Sequence, residues 1–191
     1  MRTRFGVLIS GNGSTLQAVL DCRDLFDVEV VIASKESAYG IARARRAGVS
    51  VEILPEELKG ASNKVAAEKW ILSKLEERRV QKVILAGFMK IVSEDFIKKY
   101  SGNIFNIHPS LLPKYKGINS FEDALNAGDK TAGVTVHHVA PDVDSGEFIL
   151  QREFEIPCHR HSTLSHLFLH IQEQRILRES LRKVLWQPTQ M

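Results

Sequence analysis

The sequence predicts an α/β fold: a doubly wound, mostly parallel sheet with antiparallel edge strands late in the chain. Two observations carry that prediction. Apolar, β-branched runs alternate along the chain with segments whose apolar residues recur at helical spacing. The early runs are almost continuously apolar, as strands covered on both faces must be, whereas the later ones are joined by shorter links that suit antiparallel neighbours.

Taken in order, RFGVLIS at residues 4–10 opens the sheet and runs through Gly11-Asn12-Gly13 into a helix predicted over Ser14–Cys22. VEVVIAS at 28–34 is the second strand, followed by a helix over Ala38–Ala47. A helix over Asn63–Arg79 leads into KVILAG at 82–87, and one over Ser93–Tyr100 leads into NIFNIH at 103–108. After a helix over Ser120–Ala127 come GVTVHHV at 133–139 and EFILQREFEI at 147–156. The last helix is predicted over Ser162–Leu185, with Leu164, Leu167, Phe168, Ile171 and Leu177 as its core-facing stripe. Loops long enough to carry function fall near 54–62, 109–119 and 140–146.

At 191 residues and 43% hydrophobic content the chain is expected to form a single domain, residues 1–191, around a continuous core. A formal charge of +3 without any block of like charges suits a small anionic ligand and gives no reason to expect nucleic acid. The first apolar run stops at a glycine loop, which is not the pattern of a signal peptide. No apolar stretch approaches the roughly 18 residues of a membrane span. Cys22 and Cys158 have neither metal nor redox spacing, so a reducing cytoplasm is the expected location and no metal is expected. HHV at 137–139 and CHRHS at 158–162 read as chance juxtapositions, and oligomeric state has no sequence signal.

Three stretches carry chemistry. In ISGNGSTLQAVL, Ile9 to Leu20, small residues between a strand and a helix let a ligand approach free backbone amides, which suits a phosphate. The stretch lacks the third glycine of a dinucleotide fingerprint and the Gly-Lys-Ser/Thr of a triphosphate loop; its plain structural reading is a tight turn with Ser14 as N-cap. In IFNIHPSLLPKYKG, strand alternation puts Asn106 and His108 on one face, and Pro109 ends the strand, placing both at its carboxyl end where open parallel sheets bind ligands. Histidine exchanges protons near neutrality, and a carboxamide can hold an oxygen as charge develops on it. In APDVDSGEFI, Ala140 to Ile149, Asp144 is placed to orient or charge such a histidine, although an aspartate in a turn is by itself usually a turn former.

LISGNGSTLQAVL, LAGFMKIVS, NIHPSLLPKYKG, GDKTAGVTVHHV and DVDSGEFILQ, in that order and spacing, resemble the glycinamide ribonucleotide formyltransferases, folate-dependent enzymes of purine synthesis, over residues 4 to about 180. The resemblance implies a formyltransferase-type Rossmann-like fold. It implies direct transfer of formyl from 10-formyltetrahydrofolate, the co-substrate, to the amine of glycinamide ribonucleotide. By the same carry-over Asn106, His108 and Asp144 are the catalytic set. Gly13, Ser14 and Thr15 match the phosphate turn, with Lys64 near it, and Glu173 matches the residue that holds the ribose hydroxyls. Met89, Lys90, Ile91 and Val92, with the 140–144 loop and its Asp142, match the folate cleft. Family members commonly carry asparagine where this chain has Thr15, arginine at Lys90, glycine at Ser145, and lysine or glutamine at His170. Formyl-folate enzymes acting on methionyl-tRNA, on an amino sugar or on water share the Asn-x-His core, and a phosphate-binding module without catalysis is the alternative from another class.

Overall fold

The structure is a computed structural model that describes residues 2–90, 92–157 and 162–185, apart from the side chains of Ala61 and Ser162. Its strands are β1 (Arg4–Ile9), β2 (Asp27–Ala33), β3 (Val51–Ile53), β4 (Lys82–Leu85), β5 (Ile104–His108), β6 (Thr131–His138) and β7 (Phe148–Glu155). Its helices are α1 (Ser14–Leu20), α2 (Gly40–Arg46), α3 (Lys64–Glu77), α4 (Glu94–Lys99), α5 (Ser120–Asn126) and α6 (Ser162–Leu185). The seven strands form one sheet in the order β3-β2-β1-β4-β5-β6-β7. β1 is parallel to β2 and β4, and β2 to β3, while β6 and β7 are antiparallel, which is the mixture expected from the run and link lengths. By chain contacts the molecule divides into two units, residues 1–105 and 106–191.

In the first unit β1 is the central strand, and Phe5, Val7, Leu8 and Ile9 are completely buried, so this strand reads as an unbroken apolar run because both its faces are covered. The Phe5 ring packs on Phe26 at 4.5 Å between centroids. α4 is capped by Ser93, whose hydroxyl accepts from the Phe96 amide at 3.2 Å, and it carries Glu94 and Asp95 in its first turn and Lys98 and Lys99 in its last. β3 was not expected: three residues, Val-Glu-Ile, are too few to show a period, and pairing with β2 supplies the order that propensity does not. The N-cap of α1 is Gly13 in the left-handed region, φ +74°, rather than Ser14, and no side chain caps that helix.

In the second unit α6 packs against β6 and β7. Its buried face is Ser165, Leu169, Gln172, Glu173, Ile176, Leu177, Ser180 and Leu181. The stripe predicted from hydrophobicity is therefore corrected in part: of its five members Leu177 belongs to this face and half-buried Phe168 packs edge-on to Phe154 of β7 at 5.6 Å, whereas Leu164, Leu167 and Ile171 are exposed. The cause is local hydrogen bonding, which lets polar residues occupy core-facing positions. Ser180 donates to the Ile176 carbonyl at 2.8 Å, and Glu173 accepts from His170 at 2.9 Å.

Candidate active site

Alternation along β5 delivers Asn106 and His108 to one carboxylate. Asp144 Oδ1 accepts from Asn106 Nδ2 at 3.2 Å, and Asp144 Oδ2 lies 3.4 Å from His108 Nδ1. Oδ2 also accepts from the Gly117 amide at 3.0 Å. The His108 and Asp144 side chains are 5% and 9% exposed, so solvent screens this pair little and their attraction is stronger than at a surface. Asp144 itself has φ +48°, an uncommon conformation for a residue with a side chain. A residue held there by its surroundings is a mark of a built site. His108 Nε2 lies 2.8 Å from the Tyr115 carbonyl, which only accepts, so Nε2 carries a hydrogen. When Nδ1 is also protonated, His108 is an imidazolium shared between a carbonyl and a carboxylate.

The sequence reading missed His137, one of the HHV pair set aside as chance. Its Nε2 is 3.3 Å from Asn106 Nδ2 and 3.7 Å from Asp144 Oδ1, and the residue is 2% exposed. Nδ1 sits 2.8 Å from the His138 carbonyl and must donate to it. In the neutral ring Nε2 is then the acceptor, and it takes a hydrogen from Asn106. Burial is the main influence on this imidazole and pushes its pKa below the ordinary 6.5, which keeps it in that accepting form. Both amide hydrogens of Asn106 are thereby directed, one to Asp144 and one to His137, and the carboxamide has a defined orientation. Replacing His137 with Phe is expected to lower turnover by roughly 10- to 100-fold, the loss seen when a support of a reacting group is removed. Steady-state kinetics checks this. The pKa is lower folded than unfolded, so as pH falls the unfolded chain takes up this proton first. The stability His137 contributes is present above pH 6.5 and lost as pH falls through its folded value. A thermal-melt series on wild type and His137→Phe measures that difference.

The loop that follows β5 is fastened to β6 and β7. Thr135 Oγ1 donates to the Ser110 carbonyl at 2.7 Å and receives the Leu112 amide at 3.3 Å, while Gln151 Nε2 donates to the Leu112 carbonyl at 2.9 Å. These bonds set the path to Tyr115, at φ +54°, whose carbonyl meets His108. The Asp144 loop is fixed differently: Gly146 lies so close to the strand that an added Cβ would sit 1.7 Å from the His138 carbonyl oxygen.

The remaining predicted residues fall in two groups. In the first unit, Gly13, Ser14 and Thr15 form the turn into α1, and Arg43 Nε donates to the Asn12 carbonyl at 3.0 Å. Lys64 is the exposed first residue of α3. Met89 is 56% exposed, Lys90 is half-buried and Val92 is buried, while Ile91 lies outside the described residues. In the second unit, Asp142 is exposed and its carbonyl accepts from the Ser145 hydroxyl at 2.8 Å. Glu173 is 5% exposed and bonded to His170. Among the described residues no group of His, Cys, Asp and Glu is arranged to hold a metal, and no helix is long and apolar enough to cross a membrane.

The Formyl transferase family model matches residues 3–181. The chain belongs to the formyl transferase family. A human family relative, the trifunctional purine biosynthetic protein adenosine-3, is 41% identical over 170 residues, which is 87% of this chain and 16% of that protein. The chain thus spans less than a fifth of the length of that relative. The phosphoribosylglycinamide formyltransferase of Haemophilus influenzae is 39% identical over 157 residues, 80% of this chain and 73% of that one. The crystal structure of the phosphoribosylglycinamide formyltransferase of Streptococcus pneumoniae superposes with a TM-score of 0.88 at 33% identity, covering 97% of this chain and all of that one. For a formyl transferase, a carboxylate bridging a carboxamide and an imidazole is apt chemistry. The imidazole and the amide can donate to an oxygen that becomes negative, and the carboxylate can hold positive charge or pass a proton.

Proposed function

We propose that this chain transfers the formyl group of 10-formyltetrahydrofolate to the amine of glycinamide ribonucleotide, acting as a single formyltransferase domain in cytoplasmic purine biosynthesis. The observation that carries the proposal is Asp144 reaching both Asn106 and His108 in a chain similar over most of its length to phosphoribosylglycinamide formyltransferases.

The amine adds to the formyl carbon and the carbonyl oxygen becomes negative. Protonated His108 donates to that oxygen, the Asn106 amide does so by turning to it one of the two hydrogens it otherwise gives to Asp144 and His137, and Asp144 stabilises the imidazolium. As the tetrahedral intermediate collapses, the proton leaving the amine passes, through Asp144 and water, to the departing folate nitrogen. No covalent bond to the protein is needed. His108 Nε2 is engaged by the Tyr115 carbonyl, so substrate oxygen replaces that carbonyl as its partner when residues 115–117 yield. Gly13, Ser14 and Thr15 are assigned to the phosphate, Lys64 to added positive charge, and Glu173 to the ribose hydroxyls. Met89, Lys90, Ile91, Val92 and Asp142 are assigned to the folate.

The test is an absorbance assay of folate release. Turnover that needs both 10-formyltetrahydrofolate and glycinamide ribonucleotide supports the proposal; release without the amine identifies a hydrolase, and no release overturns it. The phosphate assignment has its own check. The dephosphorylated ribonucleoside is expected to bind at least about 100-fold more weakly, as loss of a few charge-assisted hydrogen bonds implies. Calorimetric titration measures it, and equal binding would remove the phosphate from this turn.

A further inference from the structure

Ser10 follows the last residue of β1 and precedes Gly11, and it is 3% exposed. Its amide donates to the Gly87 carbonyl at 3.1 Å, and its hydroxyl oxygen accepts from the Met89 amide at 2.9 Å. One residue therefore grips the 87–89 turn at both ends, around Gly87 at φ +69°. The grip is itself seated. Ser34, 7% exposed and just past the end of β2, donates from its hydroxyl to Ser10 Oγ at 2.7 Å. Its amide is fixed to the Ile9 carbonyl at 2.9 Å. A buried hydroxyl oxygen has two acceptor sites, and here the Met89 amide and the Ser34 hydroxyl take both.

Elsewhere this core is apolar: Leu8, Ile9, Ile32 and Ala33 beside these serines are fully buried. Two hydroxyls at such places need a reason, because alanine would fill a strand end without any hydrogen-bond requirement. The Ser10 hydroxyl is spent on the backbone of a segment whose next side chains, Met89 and Lys90, are exposed and half-buried. It sets the shape of a surface rather than filling an interior. We infer that Ser10, seated by Ser34, is a positioning residue for the formyl donor, holding the backbone at Met89, and with it the Met89 and Lys90 side chains, in the form the folate meets. This rests on the assignment of that segment to folate.

Ser10→Ala tests it. The KM for 10-formyltetrahydrofolate is expected to rise roughly 3- to 10-fold, the loss of one ordering hydrogen bond. The KM for the ribonucleotide and kcat should stay within about twofold, as for a change outside their contacts. Amide hydrogen exchange at Met89 should quicken while the amides of β1 and β4 keep their protection. Ser34→Ala, which leaves the Ser10 acceptor in place, should act in the same direction by less, and the double variant should be no worse than Ser10→Ala. An unchanged folate KM, additive effects in the double variant, or equal rises in both KM values with faster exchange throughout residues 1–105 would overturn the inference. Should the alanine chain not fold, Ser10→Cys, a weak acceptor, is expected to show the same selective rise, and its absence overturns the inference. If the wild type transfers no formyl, the proposed function fails separately. Direct titration of 10-formyltetrahydrofolate then decides: weaker binding to Ser10→Ala supports the role of Ser10, and equal binding overturns it.

Discussion

Asp144→Asn is expected to lower kcat by about three orders of magnitude, within the span that general acid–base groups contribute, while ribonucleotide affinity stays within a few-fold. The substitution keeps size and shape, so the effect is electrostatic. Both oxygens of Asp144 are acceptors, Oδ1 from Asn106 and Oδ2 from the Gly117 amide, with His108 Nδ1 beside Oδ2. A carboxamide has only one accepting oxygen, so its NH2 must face either the Asn106 amide or the Gly117 amide and His108. One existing bond becomes a donor–donor contact, and the negative charge beside His108 is gone. Initial-rate kinetics with both substrates varied, together with calorimetric titration of the ribonucleotide, measures the two effects. A large loss of affinity with a near-normal saturated rate would assign Asp144 to binding instead.

Gly146→Ala should be nearly as damaging for a steric reason. The new Cβ would fall 1.7 Å from the His138 carbonyl oxygen and 2.7 Å from its carbon. Neither atom can rotate aside, because His138 is in β6 and its amide is bonded to the Glu147 carbonyl at 2.9 Å. The 140–146 loop must move away from the strand, carrying Asp144 off Asn106 and His108. A stability loss of about 3 kcal/mol or more is expected from such overpacking against backbone. Even where the variant is folded, kcat should fall by at least about 100-fold, as for a reacting group displaced by an ångström. Ser145→Ala, next in the chain, removes only the exposed bond to the Asp142 carbonyl and is expected to cost less than about 1 kcal/mol. Chemical denaturation and initial rates on the pair separate the glycine requirement from general loop sensitivity.

What the sequence made readable follows from periodicity, and what it hid follows from its loss. β5 is short and carries polar residues two apart, so alternation placed Asn106 and His108 on one face, where Asp144 contacts both. His137 was invisible by the same logic. β6 is buried on both faces from Ala132 to His137, so no contrast between inward and outward positions marks that residue as different from its valine neighbours. A signal was present nonetheless: a histidine inside a buried strand needs polar partners, and Asn106 and Asp144 were already candidates. On α6 the hydrophobic count chose a partly wrong stripe, because serine, glutamine and glutamate take core-facing positions when they have partners, while Leu164 and Leu167 remain on the surface. β3 escaped because three residues cannot display a repeat. At α1 the helix start was read to within a residue, yet the cap belongs to Gly13, whose φ of +74° and contact with Gly40 exclude a side chain; an added Cβ would lie 2.7 Å from Gly40 Cα.

The proposed transfer depends on where the reacting oxygen sits. The most direct measurement is a crystal structure with a folate analogue whose formyl group is replaced by an electrophilic ketone, bound together with the ribonucleotide as a stable tetrahedral adduct. The adduct oxygen is predicted to lie at hydrogen-bond distance from Asn106 Nδ2 and a ring nitrogen of His108, about 2.7–3.2 Å, with Asp144 still beside the imidazole. An adduct formed with that oxygen turned to solvent or to other donors, and both side chains uninvolved, would contradict it.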